Sequence, residues 1–239
     1  MSNGAALGAV IAMYFGLSNI VWFAVPAAGM VGAGLAVLLV FLLSGKTASI
    51  MTLLLAGVAV NALASSCISL ALNFAPNPYA MSEMVFWLLG SIANRSMTDV
   101  FLALPFMVVG WCFIMSSAHF LTALSLGEET AQTLGFNAQR HKIILIIGVA
   151  LAVGAAVSIS GSIGFVGLVV PHIMRPLMRY EPGKLLFSSA LAGAVMVLCA
   201  DIIVQVISPT QELKLGVITA LVGGPFFLYL IVKNRYAFK

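Results

Sequence analysis

The chain has 239 residues, of which 62% are hydrophobic and only 8% are charged. Soluble domains average about 45–50% apolar and about 25% charged residues, so a soluble fold is excluded. The formal net charge of +4 does not indicate nucleic-acid binding, because the basic residues lie at the ends of apolar runs. Backbone groups in lipid must pair within their own segment, so the sequence predicts an all-α, polytopic helical membrane protein.

The first half of the chain contains four predicted spans and one short helix. Residues 1–45 carry no Asp, Glu, Lys or Arg, and they are long enough for two helices of about 20 residues. A third span starts at Thr47 and ends before a loop at 73–78, which is rich in Asn and Pro. Residues 81–92 are predicted to form a short helix at the surface, and residues 100–118 form the fourth span.

The amphipathic segment, residues 119–141, differs from the sequence around it. It carries Glu128, Glu129 and Arg140 between apolar residues, and Gly127 and Gly135 interrupt it. Mixed polar and apolar residues of this kind favour helices that lie in water against the membrane surface. We therefore expect two short helices here.

The last part of the chain contains four more predicted spans. Residues 143–174 carry no formal charge and are too long for one span, so we expect a full helix to about residue 160 and a short one to about residue 175. Residues 185–211 form another span, and residues 215–232 form the last. The interruption between the full and the short helix is supplied by Gly161, Gly164, Gly167 and Pro171. The total is about eight spans, two of them short.

The distribution of Lys and Arg supports this span count. When the predicted spans alternate sides, one side receives nine of the eleven basic residues and the other receives only Arg95 and Lys214. Lys and Arg mark the cytoplasmic side, so both ends of the chain and the amphipathic segment are predicted to be cytoplasmic. We treat residues 1–239 as a single transmembrane domain. The nine residues are Lys46, Arg140, Lys142, Arg175, Arg179, Lys184, Lys233, Arg235 and Lys239.

The sequence contains few groups that could do chemistry. Residues 44–47 resemble the end of a phosphate-binding loop, but Val40 stands where that motif needs glycine, so any ATP would bind to another chain. Asp201 is the only acidic residue well inside a span, and it has either a transport role or a packing role. The His and Cys residues show no metal-ligand spacing. The sequence therefore predicts no catalytic residues, no metal and no bound cofactor.

One glycine-rich run carries a family resemblance. Residues 161–175 (Gly-Ser-Ile-Gly-Phe-Val-Gly-Leu-Val-Val-Pro-His-Ile-Met-Arg) closely resemble the signature of the FecCD-type ABC importer permeases. Five further pieces resemble that family in the same order along the chain: residues 2–8, 53–59, 86–91, 126–135 and 212–225. The chain begins where the third of about ten family spans would begin, which fits a misplaced gene start, a fragment or a truncation.

The resemblance implies a transport subunit and no enzyme activity in this chain. It implies import of an iron-siderophore, with haem or vitamin B12 as the alternative; from the residues alone, an ion-coupled secondary transporter is the rival. The implied partners are a second permease subunit, identical or different, two cytoplasmic ATPase subunits that bind ATP and Mg²⁺, and a periplasmic or lipid-anchored substrate-binding protein. The implied location is the bacterial inner membrane.

The resemblance also assigns roles to residues. Contact with the ATPase is expected at Gly127, Glu128, Ala131, Leu134 and Gly135. The translocation path and its gate are expected at Ser49, Ile50, Met51, Gly161, Gly164, Gly167 and Pro171. Gln205 lies in a region where the B12-type permease has an arginine that docks the binding protein, so the docking residues of this chain are open.

Overall fold

The structure is a computed structural model that describes residues 2–45, 50–207 and 213–235. Within these residues the chain forms eleven α-helices and no strands, so the all-α class predicted from the sequence is confirmed. The helices are α1 (Ser2–Tyr14), α2 (Ala24–Ser44), α3 (Ile50–Asn73), α4 (Pro78–Leu88), α5 (Met97–Ser116), α6 (Ala118–Leu124), α7 (Glu128–Thr133), α8 (Ala138–Ser160), α9 (Val166–Leu177), α10 (Pro182–Ile207) and α11 (Leu215–Arg235).

Several helices begin at side chains that cap their free backbone amides. The Asn77 side chain accepts a hydrogen bond from the Ala80 amide at 2.8 Å, which starts α4. Ser96 and Asp99 form a reciprocal capping box at the start of α5. Asn137 caps α8 in the same way as Asn77 caps α4. Because of this cap, α8 begins inside the amphipathic segment and not at residue 143 as predicted.

The structure places a helix at each of the eight predicted spans, but not all of them are long enough to cross a bilayer. Five qualify by length and composition, namely α2, α3, α5, α8 and α10. α1 has 13 residues and α9 has 12. At about 1.5 Å per residue these two are shorter than the hydrocarbon core of about 30 Å. α11 has 21 residues, about the length of a full span. The count of eight spans therefore stays a prediction.

Small residues form the contacts between the helices. Where α1 crosses α2, a Cβ atom on Gly32 would lie 3.0 Å from the Cα of Gly8. Where α5 crosses α8, a Cβ atom on Gly110 would lie 2.6 Å from the carbonyl oxygen of Gly148. Small residues allow this close approach, which is how helices associate in lipid. Many large apolar side chains lie on the outside instead, as a lipid-facing surface requires.

The helices form two groups. One group consists of α1, α2, α3, α5 and α8, and the other consists of α9, α10 and α11. α6 links the groups, because it contacts both α5 and α10. α8 has 23 residues, so it extends about 34 Å, close to the thickness of the hydrocarbon core. Its first turn lies with the amphipathic segment, and its last turn leads to the opposite end of the molecule.

Candidate functional site

The amphipathic segment folds into a compact unit made of α6, α7 and the first turn of α8. Its centre is Phe120, which is fully buried and packs in a cluster with Ala123, Ala131 and Ala138. Phe136, in the turn between α7 and α8, packs against the same cluster. α7 has only six residues, too few for an isolated helix to be stable, so this cluster is what holds it in place.

An aromatic stack fastens this unit to the start of α8. The imidazole of His141 lies parallel to the Phe120 ring, with ring centroids 4.8 Å apart, and meets the edge of Phe136 at 5.6 Å. Nδ1 of His141 lies 3.3 Å from the hydroxyl oxygen of Ser117, which is fully buried between α5 and α6. His141 therefore connects three helices.

Gly135 ends α7 in a conformation that favours glycine. Its φ is +89°, its amide donates to the carbonyl of Gln132, and the next amide, of Phe136, donates to the carbonyl of Ala131. This pair of bonds is the Schellman motif, in which a left-handed residue follows the last helical turn. Gly127, with a φ of +110°, precedes α7 and also adopts a positive φ. The two glycines therefore define both ends of the helix.

An ion pair joins α7 to α8. Nζ of Lys142 donates to Oε1 of Glu128 at 2.7 Å, and the lysine side chain is only 11% exposed. The apolar stem of the lysine is thus covered while its charged group reaches the carboxylate at the start of α7.

The unit leaves an exposed apolar edge on either side of α7. Leu126 is 68% exposed and Leu134 is 60% exposed, and Glu129 lies exposed between them. Of the residues predicted for ATPase contact, Gly127, Leu134 and Gly135 are exposed and Glu128 is partly exposed. Ala131 has no exposed surface, because it is part of the Phe120 cluster.

Basic residues collect at the same end of the molecule. Arg140 and Lys142 lie in the first turns of α8, Arg175 lies near the end of α9, and Lys184 lies at the start of α10. A cavity of about 530 Å³ lies between α6 and residues 178–188, so the α9–α10 turn is adjacent to the amphipathic segment.

The glycine-rich run makes a tight turn at the other end of α8. Gly161 has a φ of +73°, and a Cβ atom there would overlap the carbonyl oxygen of Trp87 at the end of α4. Gly90 and Gly216 approach the same turn, and a Cβ atom on Gly90 would lie 2.8 Å from the carbonyl oxygen of Ser162. The amide of Ser91 also donates to the carbonyl of Ser160 at 2.7 Å. The turn therefore holds α4, α8 and α11 together.

Beyond this turn, the residues predicted for the path lie in open surroundings. Gly164 and Gly167 have no atom within 4 Å of the position of a Cβ atom. Pro171 lies inside α9, which also contains Pro176. Phe165, just before α9, has a φ of +65° and packs on Gly223 of α11.

The predicted path residues of α3 lie in the other group of helices. Ile50 is the first residue of α3, Met51 is 65% exposed, and Ser49 lies outside the described residues. α3 packs on α1 and α2, whereas α9 packs on α10 and α11. A single path that includes both sets stays a prediction.

Asp201 has a partner on its own helix. Nε2 of Gln205, one turn further along α10, donates to Oδ2 of Asp201 at 2.6 Å. Within residues 2–45, 50–207 and 213–235, no group of three or more His, Cys, Asp or Glu residues could hold a metal ion. The Asp201 carboxylate is thus paired within its own helix, and its transport and packing roles both stay predictions.

Comparison with known proteins decides the family. Residues 1–233 match the FecCD transport family. The chain belongs to that family. The resemblance drawn from the sequence is therefore confirmed, and FecCD membership makes this chain a multi-pass ABC permease.

Relatives of this FecCD chain include two curated permeases and one solved structure. It is 36% identical over 98% of its length to the uncharacterized ABC transporter permease protein YvrB of Bacillus subtilis (strain 168), of which it covers 67%. It is 38% identical over 97% of its length to the cobalamin import system permease protein BtuC of Halobacterium salinarum, of which it covers 62%. A solved inward-facing conformation of a proposed metal-chelate type ABC transporter matches with a TM-score of 0.87 and 29% identity, over 97% of this chain and 73% of that one.

Sequence reasoning missed three features of the FecCD chain. The stack of His141 on Phe120 joins residues that are distant in sequence, so no local pattern indicates it. The pairing of Lys142 with Glu128 crosses from α7 to α8, beyond the spacing of pairs within one helix. Gly216 stands out in the sequence only through the resemblance, and its approach to the carbonyl of Leu89 depends on the tertiary fold.

Proposed function

We propose that this chain is the membrane-spanning permease subunit of an ATP-driven importer for a metal chelate. The observation that supports this best is the compact unit of α6 and α7, with exposed Leu126 and Leu134, at the basic end of the molecule in a chain of the FecCD family. This unit offers an exposed edge to a partner and is fastened to a helix as long as the bilayer core is thick.

In this proposal the energy comes from other chains. Two cytoplasmic ATPase subunits bind ATP and Mg²⁺, and their closure moves the amphipathic segment, which tilts the spans so that the cavity changes sides. We expect that contact at Gly127, Leu134 and Gly135, whose exposure would allow it. A second permease subunit completes the pathway, and a periplasmic or lipid-anchored binding protein delivers the chelate. The permease itself makes and breaks no covalent bonds.

The proposal also implies a location for this chain and an orientation in the membrane. The amphipathic segment and the basic residues at the start of α8 and α10 would lie on the cytoplasmic side of a bacterial inner membrane. Both ends of this chain would then be cytoplasmic. The turn at Gly161 and the end of α4 would face the side from which the binding protein arrives.

The proposed substrate is an iron-siderophore, and the second candidate is cobalamin. Cobalamin is favoured by one observation, the 38% identity to a permease named for cobalamin import. Haem stays a third member of the same substrate class. The ion-coupled secondary transporter is not favoured, because the one intramembrane carboxylate predicted from the sequence, Asp201, pairs with Gln205 on its own helix.

The test is transport by the assembled complex in proteoliposomes. The permease is purified with its ATPase subunits, reconstituted, and given binding protein loaded with a ferric siderophore that contains radioactive iron. We expect radioactive iron to accumulate in the vesicles when ATP and Mg²⁺ are supplied on the side of the membrane that carries the ATPase subunits. We expect no accumulation with a proton or sodium gradient alone. Competition by unlabelled cobalamin or haem then separates the substrates. Accumulation that follows the ion gradient and ignores ATP would contradict the proposal.

A further inference from the structure

The pair formed by Glu128 and Lys142 connects two helices that no other ion pair joins in the part of the chain described here. Its atoms are 2.7 Å apart, and the residues are fourteen positions apart in sequence. The other ion pair among the described residues, Glu181 with Lys184, is local and more exposed, with 68% of the lysine side chain accessible. A charge-assisted hydrogen bond between partly covered groups is stronger and less screened by salt than an exposed one.

We propose that Glu128 is a positioning residue, which fastens α7 to α8 so that movement of α7 passes directly into α8. This inference rests on the proposed function, because it assumes that a partner ATPase pushes on α7. It differs from the role expected from the sequence, in which Glu128 touches the ATPase itself. The carboxylate is already engaged by Lys142, and the surface for the partner is supplied by Leu126, Glu129 and Leu134.

The surroundings of the pair explain why a fastening is needed. α7 has six residues and is bounded by glycines with positive φ, so no continuous helix joins it to α6 or to α8. Ala131 is the single buried residue of α7, so the Phe120 cluster holds only one face of this helix. The ion pair holds its first turn, which lies at the other end of α7 from the Schellman turn.

α8 is the element that can carry the movement further. It packs against α2 and α5 along its length and ends at Gly161, where the carbonyl of Ser160 accepts from the amide of Ser91. A push on α7 that reaches Lys142 therefore arrives, through one continuous helix, at the turn that holds α4 and α11. Without the pair, α7 would be linked to α8 only by the Phe120 cluster and the short turn at 134–137, so less of its movement would reach α8.

The test is a charge exchange in the complete complex, expressed in cells that lack their own copy of the permease. Glu128→Lys and Lys142→Glu are made singly and together, and uptake of a ferric siderophore with radioactive iron is measured. We expect each single change to lower uptake on the order of tenfold, as for loss of one charge-assisted hydrogen bond, and the double change to recover most of it. The matched control is Glu181→Lys with Lys184→Glu, which exchanges an exposed pair and should leave uptake unchanged.

A second readout separates positioning from direct contact. We expect the single variants to retain the ATPase subunits on purification and to hydrolyse ATP, while the amount transported per ATP falls. If Glu128 instead binds the ATPase, Glu128→Lys releases the ATPase subunits and Lys142→Glu does not restore them. That result would overturn the inference and leave the proposed function intact. A wild-type complex without ATP-dependent uptake would overturn both.

Milder variants keep the inference testable if the charge reversals prevent folding. Glu128→Gln and Lys142→Met remove the charges and nearly preserve the side-chain volumes. Since both remove the same interaction, the double variant should lose no more transport per ATP than either single variant. Losses that add would show that the two residues act independently and would overturn the inference.

Discussion

At the scale of single residues, this fold requires glycine for two different reasons: a left-handed backbone at some positions and close helix packing at others. Gly135 has a φ of +89° and no atom within 4 Å of the point that a Cβ atom would occupy, so conformation alone requires glycine there. Gly8 is the reverse case, because it lies in a regular helix and close packing requires it. These two reasons for glycine give different predictions.

Replacing Gly135 with alanine should destabilise the protein through backbone strain. A left-handed conformation costs an ordinary residue about 1–2 kcal/mol, and asparagine tolerates it better than alanine does. We expect the melting temperature of the purified protein in detergent to fall in the order Gly, Asn, Ala at this position. Gly57→Ala is the control, since Gly57 has open space and no positive φ. Equal melting temperatures for Gly135→Ala and Gly57→Ala would contradict this explanation.

At the scale of elements, α1 and α2 are held together by backbone contact. A Cβ atom on Gly8 would overlap the carbonyl oxygen of Ala28, so Gly8→Ala should force the helices apart at a cost of about 1–3 kcal/mol. Gly34 lies on α2 with nothing within 4 Å, and Gly34→Ala is the matched control. The measurement is the free energy of unfolding in a denaturing detergent. A Gly8→Ala protein as stable as Gly34→Ala would show that the crossing is looser than described.

The contact between Phe165 and α11 gives a second prediction for an element. A Cβ atom on Gly223 would overlap the Phe165 side chain, whereas its neighbour Gly224 has open space. Gly223→Ala should therefore lower the melting temperature, and Gly224→Ala should not. In a Phe165→Gly background, which lacks the overlapping ring and suits the φ of +65°, Gly223→Ala should lower the melting temperature less than it does in the wild-type background. An equal effect of Gly223→Ala in both backgrounds would count against this contact.

The sequence predicted the positions of the helices better than their lengths. A helix lies at each of the charge-free runs from which a span was predicted, and the loop before α4 lies at the Asn and Pro cluster of residues 73–78. The start of α8 was misplaced, because its cap, Asn137, lies among polar residues that were assigned to the amphipathic segment. Apolar composition does not give the lengths of α1 and α9, which at 13 and 12 residues are shorter than a full span.

For the candidate site, the sequence indicated the region but not which residues face inward. Gly127 and Gly135 were recognised as interruptions, and both proved to bound α7. The burial of Ala131 and the stack of His141 on Phe120 arise from contacts between separate helices. Local periodicity in a six-residue helix is too short to assign a buried face.

At the scale of the whole molecule, ATP-driven transport requires the amphipathic segment to lie on the ATPase side of the membrane. Glu129 is an exposed residue of that segment and is therefore a suitable position for a label. The three native cysteines, Cys67, Cys112 and Cys199, are first replaced by alanine so that they do not react.

The decisive measurement is labelling of a Glu129→Cys protein by a membrane-impermeant maleimide, in right-side-out and in inside-out membrane vesicles. We expect the label in inside-out vesicles only, because the segment lies on the cytoplasmic side, and we expect bound ATPase subunits to reduce it. Labelling in right-side-out vesicles would place the segment outside the cell, where no ATPase could drive it, and would contradict the account.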